Sequence, residues 1–510
     1  MTALLAPLAL ADDIEAQAAC PIPAVDAGLD PVPLVVDLDR TLLRTNLVHE
    51  AILAILRHDA LAIFRLLGWL LGGRAAFRRR VLAHPALDVA TLPVDETLLA
   101  DLTVRKASGR MIVLATTLDP ALAHRLAQRF SLVDGVITTG DAADSSAARA
   151  ARLAEQLPQG FDYVGSAGGD LPIWAAARRA IVAEARPDLV ETLRALGRPV
   201  EKIGAAAASS RARALLKGLR LHQWAKNALV AVPLVLGGRA GEPEAWLAAS
   251  AAFLALGLIA SATYLLNDLW DLPHDRAHWT KRNRPLASGR LSLGLALCAV
   301  AVGLTVGLGL AASVRPAVLA GVLAYLALTL AYSLALKRVP MLDALTLGSL
   351  FTMRLVIGVA AVAVVWSPWL LTFSMFLFTS LSFAKRHTEL RGAVKRMRSG
   401  KLSGRGYHTA DEPVVLAFGI AAGLASIVIF ILYLANEAFR HAALAAPFLL
   451  WSFPPILALF MSRVWLLAGR DELNDDPVAF AIRDRTSLGL AGTAAAAFAL
   501  AAFGVPGIAV

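Results

Sequence analysis

Of 510 residues, 57% are hydrophobic and only 17% charged, and the mean hydropathy is +0.62, which excludes an ordinary soluble protein and points to a membrane protein. Lysine and arginine outnumber aspartate and glutamate 49 to 39, an excess that suits nucleic acid, an anionic substrate or the positive-inside bias of membrane loops, so its placement along the chain decides. Two cysteines, Cys20 and Cys298, cannot build a disulfide framework.

Residues 1–32 are apolar but carry Asp12, Asp13 and several prolines without a basic n-region, so they read as a flexible leader and not as a secretory signal. From 33 to 200, short apolar runs mix with regular charges, as in a soluble α/β domain. The predicted first strand begins at Pro33 and ends in Asp37-Leu38-Asp39-Arg40-Thr41. A second, Met111 to Ala115, ends in Thr116, and a third, Tyr163-Val164-Gly165, leads into Ser166 and Asp170. This series resembles the haloacid dehalogenase-like phosphohydrolases, which have a Rossmann-like fold. The resemblance implies Asp37 as nucleophile, Asp39 as general acid and base, Thr116 and Arg149 as phosphate contacts, and Asp37, Asp39 and Asp170 around Mg2+. Two positions depart from that family: Ser166 replaces the first acid of its GDxxxD motif, and Arg149 stands where a lysine is usual. Residues 45–90 are expected to form a helical cap between the first two motifs. Within it, Ala60 to Leu71 is apolar with only Arg65, and Arg74, Arg78, Arg79 and Arg80 follow; this pattern suits a helix lying on lipid or a cap helix packed on its own domain.

Residues 201–214 form a predicted linker, Gly204 to Ser210 leading to Arg211, Arg213, Lys217 and Arg220. Beyond it, 215–510 is expected to be an all-α membrane bundle of nine transmembrane helices near 227–240, 245–267, 291–313, 316–336, 342–365, 367–384, 413–435, 442–462 and 488–509. Basic residues follow the second span (Arg276, Lys281, Arg282, Arg284, Arg290), the fourth (Lys337, Arg338), the sixth (Lys385 through Arg405) and the eighth (Arg463, Arg470, Arg483, Arg485). Every even-numbered exit is positive, which places these loops and the soluble domain on the cytoplasmic side of the cell membrane.

The second span runs into Asn267-Asp268-Leu269-Trp270-Asp271, with Asp275 four residues on. Asn267, Asp271 and Asp275 are spaced i, i+4, i+8, and on a helix all four polar residues would share one side. Three carboxylates in one register need compensation, and hard oxygen donors at this spacing suit Mg2+ bridging to a substrate diphosphate. Lys281, Arg282 and Arg284 would take the remaining phosphate charge.

Asn267 to Asp275 matches NDxxDxxxD, and the region from about 215 onward resembles the UbiA superfamily of intramembrane prenyltransferases. Lys226 in Gln223-Trp224-Ala225-Lys226-Asn227, Lys281-Arg282-Asn283-Arg284-Pro285, Tyr332-Ser333 with Lys337, and Lys385-Arg386-His387-Thr388-Glu389-Leu390 are similar to the branch typified by decaprenyl-phosphate phosphoribosyltransferase. That branch implies phosphoribosyl diphosphate as donor and a polyprenyl phosphate as acceptor; Trp279 stands where it usually has proline. A second DxxxD motif, usual in aromatic prenyltransferases, is absent after the sixth span, where Glu389 lies among basic residues. Arg354 lies well inside the fifth span, where an unpaired guanidinium costs at least ~2.5 kcal/mol. It therefore meets either an acid on another helix or an anionic substrate group; Asp343, on the same stripe, is too far along the helix to pair with it. Three functions compete: phosphoribosyl transfer to the lipid, coupled or not to phosphatase activity; prenyl transfer to an aromatic acceptor; and a membrane-tethered phosphatase whose spans merely anchor it.

Overall fold

The apolar runs of the amino-terminal region become six short strands: β1 (Leu34–Asp37), β2 (Ile112–Thr116), β3 (Gly135–Thr138), β4 (Asp162–Gly165), β5 (Ala180–Ala183) and β6 (Val200–Ile203). In this computed structural model, residues 32–138, 145–183, 187–197, 199–203, 211–395, 400, 405–438, 445–473, 477–481 and 483–503 are described. Residues 1–31 of the leader, residues 204–210 of the linker, and Arg396, Arg398 and Lys401 of the basic sixth exit therefore lie outside the described residues.

All the strands pair in parallel, in the order β3-β2-β1-β4-β5-β6. Alternate residues feed two cores. Leu34, Val36, Ile112, Leu114 and Val164 pack on one face, and Val35, Val113, Tyr163 and Val182 on the other with Leu153, Trp174 and Leu193. A parallel sheet buried on both faces requires such continuous apolar strands. From β1 the chain steps outward to β2 and β3, then returns to β4 on the other side of β1. The carboxyl ends of β1 and β4 thus flank a topological switch point, where crevices open in sheets of this kind.

Between β1 and β2 lie helices Leu47–His58, Ala62–Leu71, Arg74–Leu82 and Glu96–Ala107, the first three of them in the predicted cap. Asn46 starts the first helix by accepting from the amides of Val48 and His49, satisfying two donors that a helix start leaves open.

Among the described residues of the remaining chain, seven helices are long and apolar enough to cross a membrane: Pro243–Trp270, Leu293–Val314, Pro316–Leu334, Leu342–Val362, Thr409–Glu437, Pro447–Arg470 and Arg485–Phe503. The protein is a multi-pass membrane protein. Two of the nine predicted spans differ. Residues Leu221–Ala231 form a 3-10 helix followed by the five-residue helix Val232–Leu236, and Pro368–Lys395 is a 28-residue helix whose core face carries Ser374, Thr379, Ser380 and Ser382, which lowers its apolar content.

The chain divides into two compact units, Met1–Leu219 with Leu265–Cys298, and Arg220–Tyr264 with Ala299–Val510. The acidic segment after the second predicted span thus belongs with the α/β domain, a grouping that the linker at 201–214 does not suggest. Within the second unit, Val230, Leu256, Ile259, Val322 and Ile357 share one core, and Phe351 stacks on Phe378 with ring centroids 4.4 Å apart.

Candidate functional site

Helix Pro243–Trp270 ends within the acidic motif, and a short helix, Leu272–Ala277, resumes with Pro273 in its first turn. Hydrogen bonds from Asp271 N to Asn267 O and from Asp275 N to Asp271 O carry the turn across the junction. Asp268 and Asp275 are buried, while Asn267 and Asp271 are half-buried. A single guanidinium nitrogen, Arg284 Nη1, donates to Asp268 Oδ1 at 3.0 Å and to Asp275 Oδ2 at 2.6 Å. The acids that share a cation are therefore seven residues apart, about two helical turns and better aligned than the i, i+4, i+8 series. Burial raises the Asp275 pKa and Arg284 pulls it back. Lys281 and Arg282 lie exposed on the adjoining turn Lys281–Asn283.

Within the same unit this segment is fastened to the cap. Arg276 donates to Glu50 through Nη1 at 3.2 Å and Nη2 at 2.5 Å, with side chains 8% and 4% exposed, and Thr45 Oγ1 donates to Glu50 Oε1 at 2.6 Å. Arg57 Nη2 donates to the Leu269 carbonyl at 2.9 Å. Gly289, with φ +72°, lies where a Cβ would come within 2.4 Å of the Arg44 carbonyl oxygen, so only glycine suits both the backbone and the approach. Sequence reasoning missed Glu50 and Arg57, because an acid and a base on an ordinary amphipathic helix carry no sign of a partner more than 200 residues away.

At the switch point of the sheet, Asp37 ends β1 and accepts from Thr41 Oγ1 at 2.7 Å, and Thr116 ends β2 with its side chain buried. Ser166 Oγ lies 3.0 Å from Thr41 Oγ1 and donates to the Arg40 carbonyl, so it has become part of the β1 loop. Arg149, from helix Ser146–Gln156, stands 3.9 Å from Asp37 and 3.7 Å from Asp170. Asp39, Arg40, Asn46, Arg78, Thr117 and Arg149 line a cavity here. Burial first and Asp170 next push Asp37 well above the usual carboxylate range; Asp39 and Asp170 are also raised, chiefly by burial. One carboxylate oxygen of Asp39 and one of Asp170 are buried without a hydrogen-bond partner. Among the described residues, no group of three or more His, Cys, Asp and Glu is gathered closely enough to hold a metal ion by itself. In both places an arginine stands between two acids. These are spots that suit positive charge, and Mg2+ is usually held by only one or two carboxylates together with substrate phosphates.

The second unit holds its own polar centre. Asp343, in the first turn of Leu342–Val362 and fully buried, accepts from Arg386 Nε at 2.6 Å, from Arg405 Nη1 at 3.3 Å and from the Tyr407 hydroxyl. Arg386, itself buried, also pairs with Glu389, and Arg405 Nη1 donates to the Tyr332 hydroxyl. Tyr407 accepts from the Met341 amide at 2.8 Å, holding Met341 at φ +66°. The loop reaches this position through Gly406, where a Cβ would lie 2.0 Å from the Arg338 carbonyl oxygen. Expected as substrate ligands, Arg386 and Glu389 thus have each other and Asp343 as partners, while Lys337 and Lys385 are half-buried nearby in the chain. Asp343, Arg405 and Tyr407 were not among the residues that the sequence singled out for this site.

Deeper in the same helix, Arg354 donates to Asn227 Oδ1 at 3.0 Å and to the Tyr325 hydroxyl at 3.1 Å. The rings of Tyr325 and Phe351 each lie 5.1 Å from its guanidinium carbon. Among the described residues no carboxylate pairs with it, so of the two expected partners the acid on another helix is not found, and an amide, a phenol and two ring faces surround the guanidinium. Lys226 Nζ also lies over the Phe351 ring, 5.4 Å from its centroid.

Seven long apolar helices among the described residues, one of them ending in the acidic motif, make this a membrane-embedded protein of the transferase class. The chain belongs to the UbiA prenyltransferase family, whose profile matches residues 228–483. It is 37% identical over 473 residues to "Uncharacterized protein y4nM" of Sinorhizobium fredii, covering 92% of this chain and 91% of that one, so the likeness includes the α/β domain. It is 35% identical over 184 residues to the decaprenyl-phosphate phosphoribosyltransferase of Corynebacterium glutamicum, which covers 34% of this chain and about half, 54%, of that enzyme. A UbiA homolog from Archaeoglobus fulgidus, solved bound to DMAPP and Mg2+, aligns at 14% identity with a TM-score of 0.43 over 56% of this chain and 96% of that one.

Proposed function

We propose that this protein moves 5-phosphoribose from phosphoribosyl diphosphate to a polyprenyl phosphate. The observation that carries the reading is the convergence of Asp268 and Asp275 on one cationic point, Arg284 Nη1, beside exposed Lys281 and Arg282. The similarity to a decaprenyl-phosphate phosphoribosyltransferase supports the choice of donor and acceptor. An oxygen of the lipid phosphate attacks the anomeric carbon, the bond from that carbon to the diphosphate oxygen breaks, and diphosphate leaves with the electron pair. The nucleophile is already an anion, so the site needs alignment and neutralised repulsion more than a base. Asp268 and Asp275, with Asn267 and Asp271 at their flanks, are the residues for Mg2+, which when bound neutralises the leaving group as a Lewis acid. Lys226, Lys281, Arg282, Arg284, Tyr332, Lys337 and Lys385 are assigned to the phosphates, and Arg386 and Glu389 to holding Arg405 and Asp343 in place.

Membranes given radiolabelled phosphoribosyl diphosphate and polyprenyl phosphate are expected to carry label into the organic phase. No label there, together with consumption of a prenyl diphosphate by an aromatic acceptor, would select prenyl transfer instead.

The same reading puts the α/β domain and the acidic loop on the cytoplasmic side of the cell membrane, since both belong to one compact unit and basic residues mark that side. The chain must then cross once before Pro243. Eleven residues of 3-10 helix at about 2.0 Å each and five of α-helix at about 1.5 Å reach about 30 Å, the thickness of the hydrocarbon core. With Pro368–Lys395 as a further crossing, the count returns to nine.

We also assign the α/β domain to haloacid dehalogenase-like chemistry, in which Asp37 takes a phosphoryl group from the 5-phosphate of the product, with Asp39 as acid and base and Thr116, Arg149 and Asp170 around the phosphate and Mg2+. Its parallel sheet with Asp37 at the switch point supports this. Because Asp37 has its pKa raised on folding, the folded chain holds that proton more tightly than the unfolded chain. The stability this confers is present in acid and is lost as pH rises from about 3.9 through the raised value. At neutral pH without Mg2+, Asp37→Asn is therefore expected to raise the melting temperature of the α/β domain, by about 2–4 °C for each kcal/mol relieved, and Mg2+ to raise that of the wild type but not of the variant. Calorimetry with and without Mg2+ tests this; a lower melting temperature for Asp37→Asn would show that the carboxylate stabilises the fold. Thin-layer separation of the lipid products tests the coupling, with 5-phosphorylated lipid expected to accumulate in the variant.

Arg354→Ala is expected to raise the apparent KM for one anionic substrate by about tenfold, the scale of a single charge-assisted hydrogen bond. Arg354→Lys is expected to recover only part of this, because a single ammonium lacks the fork that meets Asn227 and Tyr325 together. Unchanged kinetics with lower thermal stability would make the arginine structural.

A further inference from the structure

Helix Ala62–Leu71 presents its apolar side outward. Leu61 is 72% exposed, Phe64 70%, Leu67 54% and Leu71 91%. At 100° per residue, Phe64, Leu67 and Leu71 form one stripe, opposite Ala62, Leu66 and Trp69, the residues that pack on the domain core. The helix therefore has two apolar faces, and only one is used by the fold. The next helix, Arg74–Leu82, adds exposed Arg74, Arg79 and Arg80; Arg78 turns the other way and donates to Thr117 Oγ1.

The position of this face comes from the preceding helix. Arg57 Nη2 is bonded to the carbonyl of Leu269, in the last turn of a membrane-spanning helix that ends at Trp270. Ala62 is five residues beyond Arg57, a distance of at most ~18 Å. The Glu50–Arg276 pair makes a second attachment of the cap to the chain just past that helix end. An apolar stripe flanked by arginines and held this close to where a spanning helix leaves the bilayer meets the headgroup region.

We propose that helix Ala62–Leu71 is an interfacial anchor, with Phe64, Leu67 and Leu71 in the acyl boundary of the protein's own membrane and Arg74, Arg79 and Arg80 on anionic headgroups. The occupant is lipid and not a second protein, because the cap is attached through Arg57 and Glu50 beside the end of a membrane-spanning helix and because the helix that follows the stripe carries Arg74, Arg78, Arg79 and Arg80 and no acid. Its consequence is a cap that stays at the membrane surface, where a lipid-borne phosphate is presented.

The test uses the full chain with Cys20→Ser and Cys298→Ser, carrying one spin-labelled cysteine at Phe64, Leu67 or Leu71, in nanodiscs of phosphatidylcholine with 30% (about one lipid in three) phosphatidylglycerol. Val104, an apolar residue 70% exposed on helix Glu96–Ala107, carries the control label. Collisions with oxygen are expected to exceed those with a water-soluble nickel chelate at all three cap positions, and the reverse is expected at Val104. Replacing Arg74, Arg79 and Arg80 with glutamate is expected to make the cap labels more accessible to nickel. Accessibility at the cap equal to that at Val104 would overturn the proposal. So would dipolar broadening at the cap that disappears on dilution with unlabelled protein, since the stripe would then face a second copy.

Discussion

Asp268→Asn and Asp275→Asn are each expected to lower transfer of label into lipid by about 10²–10³-fold, the cost of removing one preorganised group that meets developing charge. Both carboxylates are buried and converge on Arg284 Nη1, so neither is replaced by water when its charge is removed. The loss should ease at raised Mg2+ for either single variant, because one carboxylate remains to share the ion with the diphosphate, and not for the double variant. Asp271→Asn should lose less at a given Mg2+ concentration, since Arg284 reaches the two acids on either side of it. Near-normal rates for both Asp268→Asn and Asp275→Asn in a detergent-solubilised assay would mean that these acids only hold Arg284 in place, and the metal-binding role assigned to them would be withdrawn.

Much of this arrangement could be read from local pattern. The strand expected to end in Asp37 does end there, because three apolar residues, Leu34 to Val36, between a proline and the first of two acids fit the covered centre of a parallel sheet and little else. The acidic motif was visible for the same reason: its chemistry lies within nine residues. What escaped was the pairing. The register predicted from an unbroken helix puts Asn267, Asp271 and Asp275 together, but the helix ends at Trp270 with Pro273 just beyond, and the acids that meet are Asp268 and Asp275. Glu50 with Arg276, and Asp343 with Arg386, are long-range pairs whose members look like ordinary helix charges until the fold brings them together. The span count differs for a physical reason too. A search for twenty apolar residues treats Leu221–Ala231 and Pro368–Lys395 like the others, whereas the first gains length by its 3-10 winding and the second carries hydroxyls on its packed side.

The Asp343 network is expected to show the largest effect on stability. Asp343→Ala should destabilise the second unit by about 3–5 kcal/mol, the usual cost of leaving one member of a buried ion pair alone. Asp343 is fully buried and Arg386 is 1% exposed, so the guanidinium left behind could not turn to water and would keep only Glu389. Arg405 and Tyr407 would lose the same acceptor, freeing the loop that packs on Arg338 and holds Met341 in its left-handed conformation. Replacing both partners, Asp343→Leu with Arg386→Met, should restore most of the lost stability, because no charge is then buried without a partner. Activity should stay low in that double variant, since Arg405, Tyr332 and Glu389 no longer share a fixed centre. Thermal unfolding in detergent alongside the lipid-transfer assay separates the two effects. If the double variant recovered transfer together with stability, the network would be a structural clamp alone and the phosphate-binding role assigned to its edge would be withdrawn.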